Sequence, residues 1–252
     1  MNATAVESIE PVAAKPAATN PLRLVCRSMR EKRSLVQVGT ACFGGPQPVV
    51  IAGPCSVESY EQTRLAADAV KAAGAGVLRG GAFKPRTSPY DFQGLGVEGL
   101  EILARIRRET GLPVVSEVMS TDDIDIVAGH VDMLQVGARN MQNFALLRRL
   151  SKCDRPILLK RGPASTVKEW LLAAEYLLAG GNDQVVLCER GVRSYDPELR
   201  NTFDLAGMAL ARQLTHLPVI ADPSHATGRR DLIRSMSRAA LAAGADGLMI
   251  EI

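Results

Sequence analysis

The sequence predicts an α/β protein with the TIM (β/α)8 barrel fold. Three observations support this fold class: eight short runs rich in Val, Ile and Leu, amphipathic segments between most of them, and little polar alternation within the runs. A strand without alternation is buried on both faces, as in a parallel sheet flanked by helices. So many β/α units in about 200 residues favour a closed barrel over an open sheet. No Gly-x-Gly-x-x-Gly motif follows the first run, which argues against a dinucleotide-binding fold.

The elements follow in chain order. Residues 1–20 are rich in Ala and Pro and are predicted to be disordered, and residues 21–47 to form an N-terminal arm or hairpin, because two β-like runs lie between Leu22 and Val38. The barrel is predicted to span residues 48–252. Its strands are predicted at Val49 to Ala52, Gly76 to Arg79, Pro113 to Val118, Asp132 to Val136, Pro156 to Lys160, Gln184 to Glu189, Pro218 to Asp222 and Gly247 to Glu251. Clear helical segments are Ser59 to Ala73, Val97 to Thr110, Thr166 to Leu178, Thr202 to Leu214 and Arg230 to Ala243. The last run ends the printed sequence, so we expect the eighth helix to be missing.

Composition excludes several classes of protein. The net charge of +3, from 30 basic and 27 acidic residues, gives no reason to expect a nucleic-acid partner or an anionic membrane surface. Five cysteines without a Cys-x-x-Cys pair suit a reducing compartment. The N-terminus lacks a secretory signal pattern, and no apolar run approaches the length of a membrane span. We therefore expect a cytoplasmic protein.

Basic side chains follow several of the predicted strands. In a (β/α)8 barrel, the carboxyl ends of the strands meet at one mouth, where the active site lies. Any one of these charges alone would be read as a solvated loop residue, but the set would repel itself in an empty pocket. It therefore predicts a multiply charged anionic ligand, or two phosphorylated ligands. These residues are Arg79, Lys84, Arg139, Lys160 and Arg190, with Arg86 as a further candidate.

Three residues at the same mouth predict a metal site. Cys55, His225 and Glu251 follow or end strands one, seven and eight, which become neighbours when the barrel closes. A thiolate, an imidazole and a carboxylate suit Mn, Fe, Co or Zn better than Mg or Ca. A lone cysteine after a strand is more often a small core residue, but its two companions favour a ligand. His130 and His216 precede strands, at the opposite end, and are predicted to be structural.

Long ordered motifs carry a family resemblance. They are IAGPCSVES, LRGGAFKPRTSPYDFQGLG, SEVM, QVGARNMQNF, LLKRG, LCERGVRSYDPELRNTFDL and DPSHATGRRDL followed by AGADGLMIE. From about Leu22 to its last residue, the chain resembles the 3-deoxy-7-phosphoheptulonate (DAHP) synthases of the short, type I beta form. The resemblance implies the first step of the shikimate pathway, in aromatic amino acid biosynthesis. In that step phosphoenolpyruvate and erythrose 4-phosphate give DAHP and phosphate.

The resemblance also implies roles for individual residues. Lys84, Glu117, Cys55 and His225 would be the catalytic residues, with Glu117 positioning the water. The implied phosphoenolpyruvate site contains Ala138 and the five cations Arg79, Lys84, Arg139, Lys160 and Arg190. The implied sugar phosphate site is the loop Pro85, Arg86, Thr87 and Ser88, and the implied metal ligands are Cys55, His225 and Glu251.

Alternatives remain open from the sequence. A 3-deoxy-octulosonate 8-phosphate synthase shares the barrel and the phosphoenolpyruvate site, but the Pro85–Arg86 pair resembles the heptulosonate form. A secondary-metabolism paralogue or a truncated, non-catalytic binding barrel would also fit. The resemblance implies a fourth metal ligand, an Asp, on an extension past strand eight that the printed sequence lacks. It further implies a homodimer or homotetramer. Because only residues 1–47 precede the predicted barrel, we expect no fused regulatory domain.

Overall fold

A closed parallel barrel forms the body of the protein. The computed structural model describes residues 21–30, 32–86 and 88–252, so the disorder predicted for residues 1–20 lies outside the described residues. Ten strands are present there: β1 (Val36–Val38), β2 (Ala41–Phe43), β3 (Val49–Gly53), β4 (Val77–Arg79), β5 (Val114–Val118), β6 (Met133–Val136), β7 (Ile157–Lys160), β8 (Val185–Glu189), β9 (Val219–Ala221) and β10 (Gly247–Glu251). Strands β3 to β10 follow one another around the barrel, and β10 closes it by pairing with β3. The predicted TIM (β/α)8 fold class is confirmed.

Helices connect the strands on the outside. They are α1 (Tyr60–Ala72), α2 (Val97–Thr110), α3 (Ile124–His130), α4 (Phe144–Leu150), α5 (Val167–Ala179), α6 (Leu205–Leu214), α7 (Pro223–Thr227) and α8 (Arg230–Ala242). Polar side chains begin several of them: the Thr166 hydroxyl accepts from the Glu169 N–H, and the Glu169 carboxylate accepts from Thr166 in return. The predicted Thr202 start of α6 is too early, because Asp204 caps the helix by accepting from the Gly207 N–H.

Two apolar layers hold the barrel together. One cluster lies inside it and takes at least one buried side chain from each of its eight strands. The other lies between the strands and the helices and includes Trp170, whose indole N–H donates to the Leu159 carbonyl. Because the strands face apolar side chains on both sides, they lack polar alternation.

The N-terminal arm closes the bottom of the barrel. The hairpin β1–β2 is antiparallel, and its buried Val36, Val38 and Phe43 join the cluster inside the barrel. The first β-like run does not pair with the second. Instead, its backbone N–H groups at residues 23–25 donate to the carboxylate of Glu175, on α5. The segment is therefore tied to the helical layer rather than to the hairpin.

The His216 side chain contacts the N-terminal arm. Its ring nitrogens lie 2.8 Å from the Ser34 hydroxyl and 2.8 Å from the Leu24 carbonyl, which is the structural role expected from the sequence. No helix in the described part of the chain has the length and apolar character to cross a membrane.

Candidate active site

The three predicted metal ligands lie at the carboxyl ends of three neighbouring strands. Strand β10 pairs with β3 on one side and with β9 on the other, so their carboxyl ends lie together. Cys55 follows β3, His225 lies on α7 directly after β9, and Glu251 ends β10. Gly53 makes the turn before Cys55 possible: it adopts φ +153°, and a Cβ there would lie 2.2 Å from the Arg79 carbonyl oxygen.

The three side chains form a compact cluster. One donor atom from each of Cys55, His225 and Glu251 lies within 4.8 Å of the other two. The His225 Nε2 atom lies 3.0 Å from Glu251 Oε2. Ligands bonded at about 2.0–2.3 Å to one ion are at most about 4.6 Å apart, so a small adjustment would bring all three to a shared ion. The residues therefore fit a divalent metal, with a donor set typical of transition ions.

The charges of this cluster favour a bound cation. A hydrogen bond from His225 is the main cause that lowers the pKa of the Cys55 thiol to about 7, against the opposing effect of burial. The hydrogen bond from His225 also holds the pKa of Glu251 well below its usual range. Burial, the largest single cause, would lower the pKa of His225, but the charge of Asp222 together with the hydrogen bonds to Asp222 and Cys55 raises it to about 9. A metal ion would replace the proton on His225.

Arg79 and Lys84 line a pocket beside the metal ligands. Both are buried, and Cys55, Glu117 and Gln135 line the same pocket. The Arg79 guanidinium lies 3.1 Å from Glu251. Lys84 Nζ donates to the Cys55 carbonyl at 2.8 Å and lies 2.9 Å from its sulfur. The structure therefore brings the anion-binding candidates and the metal candidates into one site.

Glu117 is held in this pocket by its neighbours. It stands opposite Gln135 in the pairing of β5 with β6, and Gln135 Nε2 donates to its carboxylate at 2.9 Å. The other carboxylate oxygen occupies the space where a side chain at Gly137 would start, 2.0 Å from the position of a Cβ. A glycine at 137 thus leaves room for the carboxylate.

Lys160 and Arg190 lie farther round the mouth. Lys160 is buried and pairs with the fully buried Asp222 at 2.7 Å. Burial is the main cause that lowers the pKa of Arg190. Within the described residues, Arg190 has no acidic partner within ion-pair distance. A half-buried guanidinium without a counter-ion is unfavourable unless an anion binds it.

The loop after β4 supplies the outer part of the mouth. Arg139 is exposed and donates to the Pro85 carbonyl at 2.9 Å, and Ala138 lies beside it in a short 3-10 helix. Arg86 is exposed and donates to the Phe92 carbonyl. The Ser88 hydroxyl accepts from the Tyr90 N–H, and the predicted Thr87 lies outside the described residues.

Sequence reasoning missed a set of buried partners. Asp222 was counted only as the end of a strand, although it contacts Lys160 and His225. Arg161 pairs with the buried Glu189 at 2.9 Å and with Asp204 at 2.8 Å, behind the mouth. Burial raises the pKa of Glu189, while Arg161 opposes this shift. The sequence shows acidic residues at the ends of two consecutive predicted strands, but it does not show which cations they contact.

A second depression lies on the outer layer of helices. Tyr60, Glu98, Glu101, Arg105 and His130 are among the side chains that line it. None of the predicted site residues belongs to it, and it lies between helices rather than at the strand ends. The mouth of the barrel is therefore the candidate active site.

The fold and the site together define a class: (β/α)8-barrel proteins that bring buried cations and a group of candidate metal ligands together at the carboxyl ends of the strands. The chain belongs to the DAHP synthetase I family, whose model matches residues 30–252.

Known proteins agree with this membership. The chain is 44% identical over 246 residues to the phospho-2-dehydro-3-deoxyheptonate aldolase of Thermotoga maritima, which covers 98% of this chain and 73% of the relative. A 2-dehydro-3-deoxyphosphooctonate aldolase of Magnetococcus marinus is 32% identical over 236 residues, or 86% of this chain and 81% of the relative.

Solved structures of the Thermotoga maritima protein have the same fold. The crystal structure of its phospho-2-dehydro-3-deoxyheptonate aldolase (DAHP synthase) superposes with a TM-score of 0.91 at 44% identity, covering 97% of this chain and 72% of that one. A truncated form of its 3-deoxy-D-arabino-heptulosonate 7-phosphate synthase gives a TM-score of 0.86 at 42% identity, covering 92% and 85%.

Proposed function

We propose that this protein is a 3-deoxy-7-phosphoheptulonate synthase, an aldol-type transferase that condenses phosphoenolpyruvate with erythrose 4-phosphate to give DAHP and phosphate. This reaction is the first step of the shikimate pathway. The relative with the name of this activity matches at 44% identity along 98% of the chain. The observation that carries the proposal is the shared pocket of Cys55, Arg79, Lys84 and Glu117, where cations meet metal-ligand candidates.

Phosphoenolpyruvate binds among the basic side chains at the mouth of the barrel. Its phosphate and carboxylate can bind the buried cations Arg79, Lys84 and Lys160. Arg79 and Lys160 already contact Glu251 and Asp222, whereas Lys84 has no carboxylate within ion-pair distance among the described residues. Arg190, which has no counter-ion within the described residues, gains one from the substrate. Arg139 and Ala138 complete the site on the side of the 3-10 helix.

Erythrose 4-phosphate binds at the outer loop. Pro85, Arg86, Thr87 and Ser88 receive its phosphate, which the exposed position of Arg86 supports. Arg86 is exposed, whereas Lys84, two residues earlier, is buried in the pocket. A sugar phosphate held by Arg86 can therefore direct its aldehyde end toward phosphoenolpyruvate.

Cys55, His225 and Glu251 hold a divalent ion, which we propose to be Mn, Fe, Co or Zn. When bound, the ion supplies Lewis-acid polarisation of the aldehyde. The side chains of the site perform the remaining tasks. The fixed cations orient the two anionic substrates and offset their mutual repulsion.

The chemical steps follow from this arrangement. The methylene carbon of phosphoenolpyruvate attacks the aldehyde carbon, the aldehyde π electrons move to its oxygen, and the second carbon of phosphoenolpyruvate becomes cationic. The aldehyde oxygen takes up one proton, which is balanced by a proton lost from the water that adds next; the second proton of that water leaves with the phosphate. Glu117, fixed by Gln135, orients a water molecule toward that carbon. The tetrahedral carbon then releases phosphate, whose charge Arg79, Lys84 and Lys160 stabilise as it develops.

The second candidate activity is that of a 3-deoxy-octulosonate 8-phosphate synthase. Several relatives near 32% identity bear that name. The experiment that separates the two is phosphate release with phosphoenolpyruvate and either erythrose 4-phosphate or arabinose 5-phosphate. Turnover with the four-carbon sugar, abolished by a chelator and restored by Mn²⁺, is the expected result. Preference for arabinose 5-phosphate would refute the proposed substrate, and ligand binding without turnover would refute catalysis.

Arg190 provides a sharper test of the anion site. Replacing it with Met removes hydrogen bonds to a charged ligand worth about 1.5–3 kcal/mol each, so KM for phosphoenolpyruvate should rise roughly 10- to 150-fold. The matched control is Arg193→Met, since Arg193 is exposed on the same loop. An unchanged KM in Arg190→Met would contradict the assignment.

Location and assembly complete the proposal. Five free cysteines support a reducing, cytoplasmic environment. We propose a homodimer or homotetramer, which the mass of the protein in solution, measured by light scattering, would test.

A further inference from the structure

We propose that Asp222 is a positioning residue for the metal site: it aims the metal-binding nitrogen of His225 and screens the ion from Lys160. The proposal rests on the proposed function, because it requires that Cys55, His225 and Glu251 bind a metal. No role for Asp222 follows from its sequence position, which only ends a predicted strand.

Asp222 contacts the imidazole of His225. His225 Nδ1 lies 2.8 Å from Asp222 Oδ2, while Nε2 points to Glu251 at 3.0 Å. Nδ1 is a buried nitrogen without an aligned hydrogen-bond partner among the described residues, and Asp222 is an acceptor within reach. A carboxylate on Nδ1 fixes the ring orientation and leaves Nε2 as the ligand.

Asp222 also contacts the backbone of His225. The other oxygen of the carboxylate, Oδ1, accepts from the His225 N–H at 2.9 Å. Asp222 is the N-cap of α7, the short helix that carries His225. One carboxylate therefore holds both the main chain and the side chain of the same residue, which restricts where the imidazole can lie.

Asp222 also neutralises a buried charge near the candidate metal ligands. Lys160 Nζ lies 2.7 Å from Asp222 Oδ2, and both side chains are buried. A buried ammonium this close to a metal site would repel the ion, because charges interact strongly away from water. Asp222 offsets that charge. Without the carboxylate, the His225 imidazole would lose its fixed orientation and the Lys160 ammonium would no longer be neutralised. Both effects weaken metal binding.

The test compares two matched substitutions. Asp222→Asn keeps the size of the side chain and the oxygen that caps α7, but it removes the charge. The control is Asp204→Asn, because Asp204 caps α6 through the Gly207 N–H and pairs with Arg161 at 2.8 Å, outside the metal cluster. Affinity for Co²⁺ is measured by competition with a chelator, and the thiolate-to-cobalt absorption reports on Cys55.

We expect Asp222→Asn to lower Co²⁺ affinity about 10- to 100-fold, and Asp204→Asn to change it by less than about twofold. Thermal unfolding of the metal-free proteins records the stability cost of each substitution separately. Equal Co²⁺ affinity in Asp222→Asn and wild type would overturn the positioning role, as would an equal loss in both variants. Failure of the wild type to bind Co²⁺ would refute the metal site itself, and the positioning role with it.

A measurement on the wild-type protein covers the case in which Asp222→Asn does not fold. The chain has three histidines, so the ring ¹⁵N signals can be resolved by NMR, and His225 is the one whose signals change on adding Zn²⁺. A proton on Nδ1 and a metal on Nε2 is the expected result. Zn²⁺ on Nδ1 would overturn the proposal.

Discussion

Substitution of Gly137 by Ala should displace Glu117 without unfolding the protein. The backbone at Gly137 has φ −65° and ψ 156°, which alanine adopts freely. The added Cβ would lie 2.0 Å from Glu117 Oε1, and Cβ contacts closer than 3.0 Å are essentially never observed. The carboxylate must therefore move by at least about 1 Å, the difference of these two distances.

The two consequences have different magnitudes. A displacement of about 1 Å at a reacting group can cost a factor of about 100 in rate, or about 2.7 kcal/mol in the activation barrier. The lost hydrogen bond from Gln135 costs about 1.5–3 kcal/mol of stability, because its acceptor is a carboxylate. Replacing a glycine restores about 0.4–1 kcal/mol through the unfolded state. We therefore expect a net destabilisation of about 0.5–2.6 kcal/mol.

The assay is steady-state phosphate release, with phosphoenolpyruvate affinity measured by calorimetry and stability by thermal unfolding. The value of kcat should fall about 100-fold while phosphoenolpyruvate affinity changes little. Gly129→Ala is the control, since nothing lies within 4 Å of a Cβ there. In a Glu117→Gln background, Gly137→Ala should have little further effect. A kcat within about threefold of wild type for Gly137→Ala would refute the role of Glu117.

Three further perturbations test other parts of the structure. Glu175→Ala removes the acceptor of three backbone N–H groups. It should lower the free energy of unfolding by about 1–3 kcal/mol and speed proteolysis of the arm. An unchanged unfolding temperature would contradict this. Arg161→Met leaves the buried Glu189 without its guanidinium partner. It should lower the free energy of unfolding, measured with denaturant, by about 3–5 kcal/mol. A loss below about 1 kcal/mol would show that Glu189 is neutral or rehydrated. Metal affinity should fall as pH falls below the His225 pKa of about 9, by about tenfold per pH unit, because the proton must leave before the nitrogen can bind. Below the Cys55 pKa of about 7, the loss should approach a hundredfold per unit; a metal affinity independent of pH would exclude both ligands.

Much of the barrel was predictable because its signal is local. Each strand, such as β8 (Val185–Glu189), is buried along its whole length, and that burial requires a continuous apolar run that can be read without structure. The grouping of Cys55, His225 and Glu251 also followed, because strand order in a barrel equals chain order and the ends of parallel strands meet.

Contacts between distant side chains were not predictable. The role of Asp222 depends on Lys160, 62 residues away, and nothing in either local sequence indicates that the two atoms meet. The same holds for Gln135, which resembles any polar residue in a strand until its register with Glu117 is known. The arm was also unpredictable in detail, since its first run binds Glu175, about 150 residues later, instead of pairing within a hairpin.

The sequence by itself determined the barrel, the strand ends and the residue types gathered there, because hydrophobic periodicity and chain order fix those features. Only the tertiary structure decided which charges neutralise each other and which remain open to a ligand. Arg161 and Arg190 lie after neighbouring strands with similar local sequence. Arg161 has two carboxylates within 2.9 Å, whereas Arg190 has no acidic partner among the described residues. That difference depends on distances of a few ångströms between segments far apart in the chain, over which Coulomb energies and desolvation change sharply.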